Sequence, residues 1–440
     1  MTDTAAESHE TGRFAAFRHG SFVLYFLARV FTTIGSQILS VAVIWHIYAI
    51  TKSALYTGLV GLVQFLPLAL LVLVTGTAAD QFGRRMIMGL SIVLAAACAA
   101  AMAIFTALGM ISAVLMLSIL VVFGVARAFL GPASSSLVVS LVPNRDFANA
   151  VTWNSSAWQA ATIVGPAAGG LLLGLGERPF ANWLAGIGQP QLAGFLDGHG
   201  PEIAYTTGFI FMMLGALLVF AIPKPPKAPP RERPTLSNML EGFRFIWKQK
   251  IILGAISLDL FAVLLGGATA LLPIYARDIL LTGPLGLGLL RSAPAIGALA
   301  MSLWLSRHPP QRGVGRLMFA AVAVFGVATL VFALSTQFAL SLAALVVLGA
   351  SDMISVVIRA SLVQLETPDE MRGRVSAVNS IFIGASNQFG EFESGLTAAL
   401  FGTVPAAALG GLGTLLVVLV WMRLFPDLRR RERLLETGTG

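Results

Sequence analysis

The stretch Ser136-Leu137-Val138 recurs as Ser361-Leu362-Val363, 225 residues further along the chain. The same spacing relates further identical residues: Pro143 and Pro368, Asn154-Ser155 and Asn379-Ser380, Gly165 and Gly390, and Gly170-Leu171 and Gly395-Leu396. A weaker match, at a spacing of 227, aligns Leu62-Val63-Gln64-Phe65-Leu66-Pro67 with Leu289-Leu290-Arg291-Ser292-Ala293-Pro294. These matches indicate an internal duplication, so we expect two halves of the same architecture.

Composition places both halves in a membrane. Hydrophobic residues make up 56% of the 440 residues and charged residues 11%, whereas soluble domains carry about 25% charged residues. Mean hydropathy is +0.83. Apolar runs of roughly 20 residues, enough to span a bilayer, occur at 22–50, 54–78, 86–107, 111–136, 148–175, 204–222, 252–276, 286–305, 316–336, 338–362, 374–401 and 404–424. The sequence therefore predicts an all-α membrane protein with twelve transmembrane helices in two pseudo-symmetric six-helix halves.

The runs divide the chain into five predicted segments. They are a cytoplasmic tail (1–21), an N-terminal half (22–222), a cytoplasmic linker (223–250), a C-terminal half (251–425) and a second cytoplasmic tail (426–440). The linker ends in a stretch with apolar residues at 236, 240, 243 and 247, which lie on one face of a helix. We expect an interfacial helix here; a solvated linker is the alternative.

With an even number of spans, most basic residues are predicted to lie on one side of the membrane. The side that holds both termini carries most of them: Arg13, Arg18, Arg84, Arg85, Arg145, the linker, Arg307, Arg312, Arg316, Arg372, Arg374 and Arg429-Arg430-Arg431. The other side holds Lys52, Arg178 and Arg277. Basic loops face the cytoplasm, so we expect cytoplasmic termini in a bacterial inner membrane. The net charge of +8 then favours contact with anionic lipids at the cytoplasmic face, and no nucleic acid is expected.

Several charged residues lie inside the apolar runs, where each costs about 2.5–3.5 kcal/mol unless it faces a partner or a cavity. They are Arg29 in the first run, Arg127 in the fourth, Asp259 in the seventh, Arg291 near the external end of the eighth, Asp352 and Arg359 in the tenth, and Glu391 and Glu393 in the eleventh. The first, fourth, seventh and tenth runs are equivalent helices of a duplicated bundle, so we expect them to line one central cavity. Glu391 and Glu393 point to nearly opposite helix faces, and at most one should face it.

Carboxyl groups held away from water favour their protonated form. Asp259, Asp352 and one of the two glutamates are therefore candidates for proton coupling. Arg127 and Arg359 would tune these carboxyls or hold an anionic group. Structural ion pairs between spans are the alternative, and Arg29 could instead extend its charge to the membrane interface.

The segment Gly76-Thr77-Ala78-Ala79-Asp80-Gln81-Phe82-Gly83-Arg84-Arg85 joins the second and third runs. Gly76 and Gly83 permit helix ends to approach, and Asp80 can sit against a helix N-terminus. Arg84 and Arg85 can pair with Asp146 in the next cytoplasmic loop. The segment resembles the signature loop of the major facilitator superfamily, G-x-x-x-D-x-x-G-R-R/K. The resemblance implies a gating loop that controls the conformational switch without contacting substrate.

Other stretches resemble particular branches of that superfamily. Gly165-Pro166-Ala167-Ala168-Gly169-Gly170 in the fifth run is similar to the G-P-x-x-G-G element of its antiporters, where a proline kink and glycines permit close packing. Four stretches resemble the bacterial enterobactin-exporter branch: Asp259–Ala268 running into Leu272-Pro273, Gly286–Pro294, Pro368–Val375 and Asn387–Glu391. That resemblance implies proton-driven efflux of small molecules, catecholate siderophores among them.

Other function classes find little support in the sequence. It has no G-x-x-x-x-G-K-[ST] nucleotide-binding loop, and its single cysteine, Cys98, and five histidines suggest no metal or catalytic cluster. No cofactor or metal is expected, and an enzyme or a receptor is a remote alternative. We expect a monomeric secondary transporter, a proton-coupled antiporter that exports a small amphipathic molecule such as a siderophore or a drug. A uniporter or importer of a small metabolite or lipid with the same fold is the alternative.

The variant Asp80→Asn tests the gating role of the signature loop. Because the loop should switch conformation without contacting substrate, Asp80→Asn should slow turnover while leaving the substrate dissociation constant nearly unchanged. Both quantities can be measured with a transported compound in liposomes, and a large loss of affinity would argue against a purely gating role.

Overall fold

The computed structural model describes residues 13–224 and 236–434, apart from the side chains of residues 72–73, 76–80 and 236–239. The side chain of Asp80 and the surroundings of Gly76 therefore lie outside the described part of the gating loop. Within the described ranges every regular element is a helix.

The first half consists of six long helices. They are α1 (Gly20–Thr51), α2 (Ala54–Phe82), α3 (Arg84–Ala107), α4 (Ala113–Val138), α5 (Asn144–Leu175) and α8 (Gly200–Ala221). A short 3-10 helix (Ala15–Arg18) precedes α1, and two short helices, α6 (Arg178–Gly186) and α7 (Pro190–Leu196), connect α5 to α8. Ala181, Leu184 and Ala193 pack α6 against α7.

The second half repeats this arrangement. Its long helices are α10 (Lys250–Gly266), α12 (Gly283–Arg307), α13 (Val314–Leu334), α14 (Phe338–Leu365), α15 (Asp369–Phe401) and α16 (Thr403–Leu424). After a break at Gly267, α10 continues through three short helical turns: Ala268–Leu271, α11 (Leu272–Ile274) and Tyr275–Ile279. A short helix, α17 (Pro426–Arg430), follows α16.

Each predicted apolar run coincides with one of these long helical spans to within a few residues. Within the described ranges, eleven helices are long and apolar enough to cross a membrane. The remaining long helix, α15, has 33 residues but carries more polar and charged side chains. It can do so because it packs against α2, α10 and α16, which shield it from hydrocarbon.

The helix predicted in the linker is present as α9 (Leu236–Lys248). It is fastened to α15 by an ion pair between Glu241 Oε2 and Arg374 Nη1, 2.6 Å apart. Ile246 is buried against the bundle, whereas Phe243 and Trp247 are 42% and 65% exposed. Its predicted apolar face therefore points away from the bundle; contact of that face with lipid stays a prediction.

Contacts between the two halves concentrate at one end of the bundle. We call the end that holds the start of α1 and the end of α16 the terminal face, and the other end the opposite face. Near the opposite face α5 packs on α12 and α2 packs on α15. A β-carbon added at Gly170 would collide with Gly288, and one added at Gly58 would collide with Gly395. Glycines therefore allow the halves to touch backbone to backbone.

Polar contacts reinforce this closure. Ser292 Oγ of α12 donates a hydrogen bond to the carbonyl oxygen of Ile163 in α5 at 2.7 Å. At the end of α1 the Tyr48 hydroxyl donates to the Asp278 carboxylate of the second half. The Arg277 guanidinium carbon lies 5.6 Å from the centre of the Trp45 ring. The opposite face is thus closed in this conformation.

The break in α10 is held by a neighbouring helix. Gly267 has non-helical backbone angles, φ −72° and ψ 63°. Its carbonyl oxygen accepts a hydrogen bond from Ser394 Oγ of α15 at 2.9 Å. Irregular backbone at membrane depth needs such partners inside the protein.

The variant Gly170→Val should keep the two halves from closing at the opposite face. The added side chain meets the backbone of Gly288, and overpacking costs about 1–3 kcal/mol. The distance between spin labels on introduced cysteines at Leu108 and Leu334, in a Cys98→Ala background, should lengthen. Gly174→Val is the matched control, because nothing lies within 4 Å of its β-carbon position. An unchanged distance in Gly170→Val would contradict the assigned role of this contact.

Candidate functional site

A cavity of about 540 Å³ lies between the two halves. α1, α2, α4 and α5 line it from the first half, and α12 and α15 from the second. Its charged lining residues are Arg29, Arg127, Arg291 and Glu391. The structure thus brings together three residues that the sequence predicts for a central cavity, Arg29, Arg127 and Glu391. The volume is that of a site for a drug-sized molecule.

Arg127 projects from the middle of α4 into this space. Its Nη1 donates a hydrogen bond to Gln64 Oε1 of α2 at 3.0 Å. The side chain is otherwise accessible from the cavity. Among the described residues no carboxylate lies within ion-pair distance of it. Gln64 therefore orients the guanidinium without neutralising it.

Arg291 is a cavity residue that the sequence reasoning did not assign. Its Nη2 donates to Ser40 Oγ of α1 at 2.9 Å, across the boundary between the halves. Its Nη1 is buried without a hydrogen-bond acceptor among the described residues. The weaker repeat could have identified it, because that repeat aligns Arg291 with Gln64, and both side chains line the cavity.

Glu391 is the glutamate that faces the cavity. It packs against Gly61 of α2 and interacts electrostatically with Arg291 and Arg127. Neither arginine lies within the 4.0 Å that defines an ion pair. Glu393 lies away from the cavity, and its Oε1 accepts a hydrogen bond from Thr397 Oγ1 of the same helix at 2.8 Å.

Arg29 completes the positive lining of the cavity. Its guanidinium carbon lies 5.7 Å from the centre of the Trp158 ring, a cation–π distance. Its Nε is buried without an acceptor among the described residues.

Asp259, Asp352 and Arg359 form a second charged cluster, inside the second half. Arg359 Nη1 of α14 donates to Asp259 Oδ2 of α10, and both side chains are buried. Arg359 thus forms an ion pair between spans, the arrangement that the sequence left as the alternative. Asp352 interacts electrostatically with both members of the pair. No hydrogen bond of its carboxylate is found within the described part of the chain.

The first, fourth, seventh and tenth spans were expected to line one cavity, but only the first and fourth, α1 and α4, do so. Asp259, Asp352 and Arg359 do not line the space between the halves. The physical reason is that α10 and α14 turn these side chains toward each other, where Asp259 and Arg359 neutralise one another away from water.

The gating loop contains a backbone turn at its second glycine, Gly83. Gly83 ends α2 with φ 89°, a conformation that side chains other than glycine rarely adopt. Arg84 Nη1 donates to the carbonyl oxygen of Ser136 at 3.0 Å, and Arg85 Nη1 donates to that of Ile222. Asp146, expected to pair with these arginines, instead lies 2.9 Å from His19 Nε2. No motif in the sequence predicts a role for His19. It approaches Asp146 because the N-terminal segment packs on α5.

The glycine-rich element of α5 serves two interfaces. Gly165 packs against Gln37 of α1, and Gly169 packs against Ile38 of the same helix. Gly170 turns to the second half, and the carbonyl oxygen of Pro166 lies against Gly288. The element therefore fixes α5 both within its own half and at the closed opposite face.

A smaller cavity of about 450 Å³ lies at the opposite face between the halves. Glu177, after α5, and Arg277 line it together with Trp45. Burial raises the pKa of the Glu177 carboxyl, and the charge of Arg277 opposes that shift. Within the described residues no group of three or more His, Cys, Asp or Glu side chains could hold a metal ion.

The buried ion pair yields a stability prediction. Removing one member of such a pair costs about 3–5 kcal/mol, because the other charge is left buried alone. Arg359→Met should lower the free energy of unfolding in detergent by about that amount, and adding Asp259→Asn should restore much of the loss.

The exposed pair Asp369 and Arg372, 2.6 Å apart, supplies the control. Surface pairs contribute about 0–1 kcal/mol, so Arg372→Met should change stability little. Wild-type stability in Arg359→Met would show that the pair has no structural role.

The comparisons with known proteins agree with this architecture. The family model for transmembrane secretion effectors matches residues 11–434. The multidrug efflux pump Tap of Mycobacterium tuberculosis is 27% identical over 405 residues, covering 89% of this chain and 90% of the pump. The enterobactin exporter EntS of Citrobacter koseri is 25% identical over 422 residues, covering 94% of this chain and 93% of the exporter.

A solved structure gives the same result for the fold. A bacterial homologue of the human lysosomal transporter Spinster, in an inward-facing and occupied conformation, matches with a TM-score of 0.69 at 15% identity. The match covers 93% of this chain and 95% of the homologue. The predicted twelve-helix fold in two six-helix halves is confirmed. The chain is a multi-pass membrane transporter, and it belongs to the transmembrane secretion effector family of the major facilitator superfamily.

Proposed function

We propose that the protein is a proton-coupled antiporter that exports a small amphipathic molecule by alternating access. The observation that carries this proposal is the charged cavity between the halves, combined with the closure of one face by glycine contacts. Two rigid halves that meet around a midplane site are the arrangement that exposes the site to one side at a time. One chain builds the whole cavity, so we expect a monomer to be active.

The terminal face is the cytoplasmic side in this proposal. The charge distribution supports it, since basic loops remain in the cytoplasm. Both termini then lie in the cytoplasm of a bacterial cell, and α9 lies on the inner leaflet. Its exposed Phe243 and Trp247 would enter the lipid interface, with anionic headgroups near Lys248 and Lys250.

The conformation described here then faces the cytoplasm. Export requires the opposite face to open, which separates Gly170 from Gly288 and breaks the contact of Tyr48 with Asp278. Closure at the terminal face would follow, with the gating loop at Asp80 and the arginines beside it controlling that step.

Two carboxyl groups are the proposed proton carriers, Asp352 and Glu391. Protonating Asp259 would leave the buried Arg359 without a direct partner, which is costly. Asp352 and Glu391 lie near arginines without a direct ion pair, so they can gain or lose a proton without breaking one. Asp259 and Arg359 therefore tune Asp352, while Arg127, Arg291 and Arg29 act on Glu391 and the substrate. Glu393 lies outside this set.

The names of the relatives define the compounds to test. One relative is a multidrug efflux pump and another an enterobactin exporter. A siderophore or a drug-like compound is therefore the proposed cargo, and the cavity of about 540 Å³ admits molecules of that size.

Reconstitution in liposomes tests the proposal. With a pH-sensitive dye in the lumen and an imposed pH gradient, siderophores and lipophilic drugs added one at a time should trigger a proton flux. Asp352→Asn should reduce gradient-driven accumulation by more than about tenfold, the scale of a typical coupling free energy, while substrate exchange without a gradient continues.

Asp369→Asn is the control, because that carboxyl is 84% exposed at the start of α15. Full coupled transport in Asp352→Asn would remove Asp352 from the coupling mechanism. Substrate exchange in the wild-type protein without any proton flux would point to a uniporter or to another coupling ion.

A further inference from the structure

The central cavity carries an excess of positive charge. Three arginines, Arg29, Arg127 and Arg291, and one glutamate, Glu391, line it, which leaves a formal charge of +2 with the glutamate ionised. None of the three arginines has a carboxylate within 4.0 Å among the described residues. The excess is therefore a property of the cavity wall and is not cancelled locally.

Two donors in this wall have no acceptor. Arg29 Nε and Arg291 Nη1 are buried N–H groups without a hydrogen-bond partner in the described part of the chain. A buried donor of a charged group left unsatisfied costs more than about 1–3 kcal/mol. Arg127 and Arg291 are also close enough to repel each other. An anionic ligand between the guanidinium groups of Arg127 and Arg291 would relieve this repulsion.

The rest of the wall defines the other part of the ligand. Ile44, Val60 and Phe123 supply an apolar surface, and Trp158 supplies an aromatic face beside Arg29. A ligand that matches both parts has an oxygen-acid group and an apolar or aromatic body.

We propose that the cavity selects amphipathic organic anions, with the anionic oxygens bound between Arg127 and Arg291 and the apolar body against Ile44, Val60 and Phe123. This inference rests on the proposed function in that it takes this cavity as the substrate site. Arg291 is held in place by the hydrogen bond that its Nη2 donates to Ser40 Oγ, and Arg127 by the one that its Nη1 donates to Gln64 Oε1. Both guanidinium groups are thus oriented before the ligand arrives.

The selectivity distinguishes classes of amphipathic compound. A cation would enter a cavity lined by three arginines. Its only favourable charge contact would be with Glu391, which already interacts with Arg127 and Arg291. A neutral compound would gain the apolar contacts and leave the guanidinium groups unsatisfied. The anion therefore binds most tightly of three compounds with the same apolar body.

A matched series of fluorescent probes tests this in purified full-length protein. Dansylglycine is an anion, dansylamide is neutral and dansylcadaverine is a cation, and all three share one fluorophore. Their dissociation constants can be measured by dansyl fluorescence in detergent at pH 7. Dansylglycine should bind at least about tenfold more tightly than the other two, since charge-assisted hydrogen bonds to guanidinium are the strong ones.

Variants locate the effect in the cavity. Arg291→Gln should weaken dansylglycine binding by about tenfold or more, Arg291→Lys should restore part of it, and Arg291→Glu should shift preference toward dansylcadaverine. Arg307→Gln is the matched control on the same helix, because Arg307 is exposed at the end of α12. The melting temperature of each variant shows whether it is folded. If Arg291→Gln does not fold, Arg127→Gln replaces it in the binding measurement.

Equal, absent or cation-selective binding by the wild-type protein would overturn the inference, and so would unchanged dansylglycine binding in folded Arg291→Gln and Arg127→Gln. The result is separable from antiport. Anion-selective binding without proton flux in liposomes would leave this inference standing and remove the proposed coupling. Proton flux triggered only by cations would support the proposed coupling and overturn this inference.

Discussion

The cost of placing unpaired charge in hydrocarbon is the constraint on which the other features of this structure depend. Arg359 and Asp259 avoid this cost by pairing with each other inside the second half. The arginines of the central cavity avoid it because they face a polar space between the halves. The polar side chains of α15 are tolerated for a related reason, because that helix packs among α2, α10 and α16. Most of the intramembrane charges thus lie either in a buried ion pair or on the wall of the central cavity.

The duplication produces two halves whose helices pack differently within each half and between the halves. Within each half, long helices pack along much of their length, for example α1 on α8 and α12 on α14. Between the halves, the glycine contacts lie near the opposite face. The halves therefore meet at this face through glycine contacts, with few interlocking side chains between those backbones.

The sequence was sufficient for the fold and for part of the site. Hydropathy located the twelve spans, because length and apolarity follow directly from bilayer thickness. The repeat and the polar residues within spans pointed to Arg127, Arg29 and Glu391. The face that each helix presents was less accessible to sequence reasoning. Asp259 and Asp352 lie on helices that could equally have lined the cavity, and only packing shows that they face Arg359. Arg291 was passed over because it lies near a span end, although its repeat partner is Gln64. The contact of His19 with Asp146 depends on tertiary packing and has no local signal.

The break at Gly267 divides the seventh span into two segments with different attachments. The segment before it, Lys250–Gly266, carries Asp259 and is tied to α14 by the ion pair. The segment after it ends near Asp278, which is joined to the first half through Tyr48. Thr269, just beyond the break, lies close to the Glu391 carboxyl. A straight helix would transmit tension at Asp278 along its axis to Asp259. Here the hydrogen bond from Ser394 Oγ to the Gly267 carbonyl oxygen couples the break to α15, the helix that carries Glu391.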